Sequence, residues 1–271
     1  MHRFAGRRAV VTGASRGIGA AIAERLAAEG ASVVVTARTV ARHAHLAGSL
    51  QETVERCRRY GTTVDVVAAD LADPVSRAAI IPAATAALGG PPDILVNNAA
   101  AAIYASTLDY PARRAHLMFE VNLHAPMELT QTVLPAMVAG GEGWVLNLSS
   151  ATARPPGGRT GGVATRIGVY GATKAALNRL TNAFAVELQG TGVCITTVEP
   201  RAAVLSEGAD ALVGGTLTAD QIEPMEAMVE AAVALCACPA DMSGRSYVSL
   251  DLIGDLGLTV MTLDGSAPFG G

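Results

Sequence analysis

Tyr170-Gly-Ala-Thr-Lys174 sets a phenol and an amine four residues apart. On a helix that spacing puts both side chains on one face. A helix is expected, because Ala172, Ala175, Ala176, Leu177, Leu180 and Ala183 recur at helical intervals up to Leu188. A free tyrosine titrates near ~10 and is a poor proton shuttle at neutral pH. A lysine charge beside it favours the phenolate and is expected to draw that pKa toward the working range. A tyrosine so tuned gives a proton to a carbonyl oxygen or takes one from an alcohol. The same spacing also describes a solvated helix face with an incidental lysine, so the elements around it must decide.

The first such element is the apolar run Ala9–Thr12, followed by Gly13-Ala-Ser15-Arg16-Gly17-Ile18-Gly19 and a helical pattern through Glu29. Glycines there let the backbone turn sharply and approach a pyrophosphate seated on amides at the helix start. A glycine turn can be only a tight connection; its place between strand and helix favours nucleotide binding. Ser32–Thr36 predicts a second strand, ending in Ala37-Arg38-Thr39. A carboxylate at this position would hold the ribose 2′-hydroxyl of NAD, and none is present. Arg38, with Arg16, is instead suited to a 2′-phosphate, which predicts NADP(H) in preference to NAD(H). The plain alternative is two solvated arginines. His43 and His45 form an HxH pair without a third ligand nearby, so loop histidines and no metal are expected.

Further along, Ser49 or Gly48 is expected to cap a helix to about Tyr60, and Thr63–Ala68 predicts a third strand. Just past it, Asp70-Leu71 stands where an adenine-contacting acid belongs, or where a cap would precede Pro74. One helix is predicted from there to Leu88, then a fourth strand from Asp93 into Asn97-Asn98-Ala99-Ala100. A helical region from Pro111 to Ala139 contains Asn122, and Pro126 should disturb it near that residue. Gly143–Leu148 reads as a fifth strand ending in Ser149-Ser150, followed by an irregular Pro/Gly-rich stretch, Arg154–Gly168. Val193–Val198 is the sixth strand, ending at Glu199-Pro200; Ser206–Cys236 is loop and helix, starting near Thr218 or Glu223; Arg245–Leu250 is the seventh strand.

Composition narrows the class. At 271 residues and 50% hydrophobic, one large domain can bury a substantial core. The net charge of −4 gives no reason to expect nucleic-acid or membrane binding. Cys57, Cys194, Cys236 and Cys238 make no CxxC pair, so buried free thiols in a reducing compartment are expected. There is no apolar h-region near Met1, and the longest apolar helix-like run, Ala78–Leu88, is too short for a bilayer. A soluble, cytoplasmic protein is the expectation.

Strands alternating with helices at this rhythm specify an α/β fold with a doubly wound parallel sheet, whose ligands gather at the strands' carboxyl ends. Each polar motif above falls at such an end. Taken together, the residues resemble the classical short-chain dehydrogenases/reductases from residue 7 to about 250: Thr12–Gly19 is similar to their cofactor turn, Asn97-Asn98-Ala99 to their NNAG signature, and Asn122, Ser150, Tyr170 and Lys174 to their catalytic tetrad. Arg38 and the His43–Leu50 region resemble hydroxysteroid-dehydrogenase-like members in particular.

The resemblance implies a single Rossmann-like domain over residues 1–271 with a seven-stranded parallel sheet, a homo-oligomer (dimer or tetramer), and a small apolar carbonyl or alcohol substrate. It implies that Ser150 binds the substrate oxygen, Tyr170 moves the proton, Lys174 tunes the tyrosine and holds the nicotinamide ribose, and Asn122 anchors a water. Gly13, Ser15, Arg16, Gly17, Ile18 and Gly19 would hold the pyrophosphate; Arg38 and Thr39 the 2′-phosphate side; Asp70 and Leu71 the adenine; Asn98 and Ala99 the ribose. Ala203 would offer its backbone amide to the carboxamide.

Three departures stand out. Ala100 replaces the glycine of NNAG, the gap from Ser150 to Tyr170 is long, and Arg201 follows Pro200 where the family has glycine. The insertion, about 154–168, and a substrate-side region, about 201–237, are expected to build the substrate mouth. Arg201 resists positive φ and is expected either to neutralise an acidic substrate group or to pin the insertion, the plain alternative being a solvated surface arginine beside a passive flap. A non-catalytic dinucleotide-binding regulatory protein is the competing expectation.

Overall fold

Short runs of β-branched residues, each closed by a polar or glycine turn, build seven strands and leave the intervening segments to helices. The computed structural model describes residues 2–41, 47–155, 166–206 and 217–270. The strands are β1 Arg8–Thr12, β2 Ser32–Ala37, β3 Val64–Ala68, β4 Ile94–Asn97, β5 Gly143–Leu148, β6 Val193–Glu199 and β7 Ser246–Val248. All neighbours pair in parallel, in the order β3-β2-β1-β4-β5-β6-β7. The order reverses between β1 and β4, and the crevice at that switch point is where this architecture takes ligands.

Both faces of the sheet are covered, so successive strand residues alternate between two apolar cores. Val11, Val33, Val35, Ile94, Val96 and Leu146 pack one face under α1 (Gly17–Ala28) and α2 (Leu50–Arg58), and α8 (Met225–Leu235) shares that core. Val10, Val34, Leu95, Val145 and Ile195 fill the other, with α4 (Ile80–Leu88) and α6 (Ala125–Gly140). The remaining helices are α3 (Pro74–Ala78), α5 (Ala112–Phe119), α7 (Gly168–Glu187) and α9 (Ser249–Leu256). No helix among the described residues is long and apolar enough to cross a membrane.

Several boundaries differ from the sequence reading, each for a local reason. The single helix expected up to Leu88 is two, because Pro82 has no N–H for the carbonyl of Ala78, where α3 ends. Its cap is Asp73, whose carboxylate accepts from the amides of Val75 and Ser76; Asp70 instead accepts from Ala72. Ser49 caps α2, which ends at Arg58 rather than Tyr60. The region expected from Pro111 is interrupted near Asn122 by a wide π turn, Glu120–His124, just ahead of Pro126. The seventh strand stops at Val248 because its partner β6 runs out at Glu199, and Ser249 then opens α9. Likewise α8 starts at Met225, after both Thr218 and Glu223.

The helix that carries the glycine turn is clamped at its far end. Arg25 of α1 is almost fully buried; it donates to Glu29 at 2.6 Å, to Glu230 of α8 and to the carbonyl of Thr262. Removing one partner of a buried ion network leaves charge uncompensated. Arg25→Ala should cost about 3 kcal/mol of unfolding free energy, since only Arg3 would remain beside both carboxylates, and urea denaturation would measure it.

Candidate active site

A cavity of about 760 Å³ opens at the carboxyl ends of β1, β2, β4, β5 and β6. Its floor is set where β1 meets β4. The Thr12 hydroxyl donates to the Val96 carbonyl and accepts from the amides of Asn98 and Ala99. The Asn98 amide group donates to the carbonyls of Thr12 and Gly13, at 2.9 and 3.2 Å. That packing leaves no room for side chains on the glycine turn. A Cβ on Gly13, already at φ +66°, would lie 2.7 Å from the Ala99 Cα, and one on Gly19 would collide with the Asn98 side chain.

Above this floor α1 presents its first amides. No side chain caps them and its first turn holds no acid, so the helix end is left to an anion. Arg16 and Arg38 line the same cavity, and the Arg16 Nε is buried without an acceptor. Thr39, Asp70 and Leu71 form the far wall. This donor set fits a dinucleotide with phosphate at the α1 end. Of the residues singled out from the sequence, Gly19 and Asn122 do not line the cavity; Gly19 packs behind the turn and Asn122 lies under α7.

The reactive end is built on α7. Gly171, Thr173, Lys174, Leu177 and Thr181 are buried, and half-buried Tyr170, one turn before Lys174, lines the cavity with it. The Lys174 ammonium donates to the Leu148 carbonyl at 2.7 Å and sits 5.9 Å from the Tyr170 ring centre. Burial alone lowers the Lys174 pKa to about 8. Ser150 lies near enough to Tyr170 to favour its phenolate. Asn122 exchanges hydrogen bonds with both backbone groups of Ala101 and donates to the Thr173 hydroxyl at 3.0 Å.

The expected direction of the Tyr170 shift is overturned. Its phenol is pushed above the ordinary tyrosine value, chiefly by burial and secondarily by the Tyr104 phenol, and Ser150 offsets this only in part. Four-residue spacing finds the lysine, but the desolvation comes from the walls, including Tyr104, whose ring meets Tyr170 edge-on at 5.9 Å.

Two other expectations also change. The Ala203 amide donates to the Gln221 carbonyl at 2.9 Å, and the Ala203 carbonyl accepts from Glu223, so a short bridge consumes the group expected to meet a carboxamide. Arg201 needs no positive φ, since among the described residues only glycines adopt it. Its guanidinium pairs with Asp251 of α9, and its amide donates to the buried Glu223 carboxylate at 2.8 Å. His43 and His45, and residues 156–165 of the insertion, lie outside the described residues. Among the described residues no group of three or more His, Cys, Asp or Glu converges as a metal site. Tyr104 and Thr152 were not singled out from the sequence, whereas Thr12 and Gly171 stood inside the motifs that were.

A short chain dehydrogenase family model matches residues 7–212, and the chain belongs to that family, whose members are oxidoreductases acting at CH–OH and C=O groups. It is 29% identical to hydroxysteroid dehydrogenase-like protein 2 of Mus musculus over 98% of this chain, which spans about half (53%) of that relative's length. It is 37% identical to the L-xylulose reductase of Bos taurus, over 73% of this chain and 72% of the other. Among solved structures, a 3-oxoacyl (acyl-carrier-protein) reductase from Agrobacterium tumefaciens C58 with NADP bound superposes with a TM-score of 0.77 at 31% identity, covering 90% of this chain and 93% of that one.

The buried lysine makes a stability prediction. Its pKa is about 8 when folded and 10.5 ordinarily, so between those values the unfolded chain holds more protons and stability rises with pH. Below that window the folded state carries the full cost of a desolvated charge. Lys174→Met should therefore raise the melting temperature at pH 7, relieving roughly 3 kcal/mol of desolvation less about 1 for the lost Leu148 bond. Melting curves taken from pH 7 to 10 should show that gain shrinking.

Proposed function

We propose that this chain is an NADP(H)-dependent oxidoreductase interconverting an alcohol and a ketone or aldehyde, with Tyr170 as the proton donor and acceptor. One observation carries the reading: the Ser150 and Tyr170 hydroxyls, beside buried Lys174, share a cavity with the uncapped α1 end and Arg16. The nicotinamide, when bound, supplies or receives the hydride. Ser150 donates a hydrogen bond to the substrate oxygen, which strengthens as that oxygen gains charge. In reduction the Tyr170 proton passes to the oxygen; in oxidation the tyrosinate takes it back. Lys174, within 5.9 Å of the ring, stabilises the tyrosinate, and solvent restores the proton. Asn122 fixes the wide turn between α5 and α6 against Thr173, which holds the α7 register.

Arg16 and Arg38 would take the 2′-phosphate, as no acid follows β2 to hold a free 2′-hydroxyl. The NADP-bound reductase from Agrobacterium tumefaciens supports that cofactor. Tyr104 stands beside Tyr170, and Leu117, Val121, Val204 and Met228 add apolar lining to the same cavity, which suits a small apolar substrate. A soluble cytoplasmic homo-oligomer, dimer or tetramer, completes the proposal.

The test is oxidation of NADPH and NADH against apolar ketones, aldehydes and 3-oxoacyl thioesters. NADPH-dependent turnover is expected with at least one class, and no turnover with any would refute the reading. Tyr170→Phe should abolish turnover while NADPH affinity, read by fluorescence titration, stays within a few-fold. Arg38→Asp should weaken NADPH by more than about tenfold, or ~1.4 kcal/mol, and move preference toward NADH.

A further inference from the structure

Ser150 ends β5 in extended backbone and caps the short turn Ala151–Ala153, accepting from the Thr152 amide at 3.3 Å. That much is an ordinary cap. The Thr152 hydroxyl adds a second bond, donating to the same Ser150 oxygen at 3.0 Å. A serine hydroxyl has two lone pairs and one proton. Both lone pairs are taken by Thr152, so the one proton is left to point away from the turn, into the cavity that Tyr170 also lines. The turn cannot drift from this position. A Cβ on Gly171, the residue after Tyr170, would collide with the Thr152 carbonyl, so turn and helix are seated on each other.

We infer that Thr152 is a positioning residue that fixes Ser150 as a hydrogen-bond donor toward Tyr170 and the substrate oxygen. This rests on the oxidoreductase reading above. Without the Thr152 hydroxyl, Ser150 keeps its place but its proton has alternative directions, and the tyrosinate loses part of a donor. That donor lowers the Tyr170 pKa against the burial that raises it. Its loss therefore shifts tyrosinate formation to higher pH.

The experiment compares wild type with Thr152→Val, which keeps the shape and removes the hydroxyl, and Thr152→Ser, which keeps the hydroxyl. In alcohol oxidation, Thr152→Val should lower kcat about tenfold and move the rising limb of the pH profile up by about one unit. Thr152→Ser should overlay wild type. Equal slowing at every pH by Thr152→Val, or a Thr152→Ser variant that behaves like it, overturns the inference, because misplaced packing alone would do that. A second arm does not depend on turnover. In a Ser150→Cys background, alkylation of the introduced thiol by iodoacetamide is followed against pH by mass spectrometry. A donor hydroxyl stabilises the thiolate, so adding Thr152→Val should raise the alkylation midpoint and adding Thr152→Ser should not. An unmoved midpoint overturns the inference. A wild type inactive on every carbonyl refutes the oxidoreductase reading instead, and the thiol arm still decides the role of Thr152.

Discussion

A desolvated ammonium bonded to one backbone carbonyl fixes the geometry of this site. Lys174 reaches from α7 to the Leu148 carbonyl, two residues before Ser150, so a single bond sets the helix against the strand that carries the serine. Desolvating a charge is costly, and burial depresses the lysine accordingly. The fold tolerates the cost because the same burial keeps Tyr170, Ser150 and the cavity floor in fixed relation. Thr173, one residue earlier, does for the other side what Lys174 does for the strand. It receives Asn122 from the wide turn, and Asn122 in turn grips the backbone of Ala101.

The segment after β4 thereby serves two masters. Asn98 locks the glycine turn through the carbonyls of Thr12 and Gly13, and Ala101 locks α7 through Asn122. Asn98 at the cofactor end and Ala101 at the reactive end are three positions apart in the chain. The polar contacts involved are mostly part-buried and share partners, so each constrains the next.

Much of this was legible in the residues. Short apolar runs gave all seven strands, and the Tyr170–Lys174 spacing placed both groups on the helix face that lines the cavity. Pro126 correctly marked trouble near Asn122, while the equivalent signal from Pro82 was present and unread. What stayed hidden depends on groups distant in sequence. The sign of the Tyr170 shift is set by burial against walls that include Tyr104, and spacing along one helix carries no measure of that. The amide of Ala203 is consumed by Gln221, and the charge of Arg201 by Asp251, partners that no local pattern names. Thr152 escaped notice because a threonine two residues after a serine is unremarkable until the direction of a proton is at issue.

The bridge between Ala203 and Ile222 has an evolutionary side. The chain leaves the sheet edge at one and returns beside it at the other, and the Glu223 carboxylate ties the joint to the amides of Arg201 and Ala202. Once the two ends of an excursion are stapled together, its length is nearly free: doubling a loop costs only about 0.6 kcal/mol of closure entropy. A change of length between Ala203 and Ile222 is then absorbed at the joint and does not reach β6. The joint thereby makes that stretch a replaceable cassette, decoupled from the strand that leads into it.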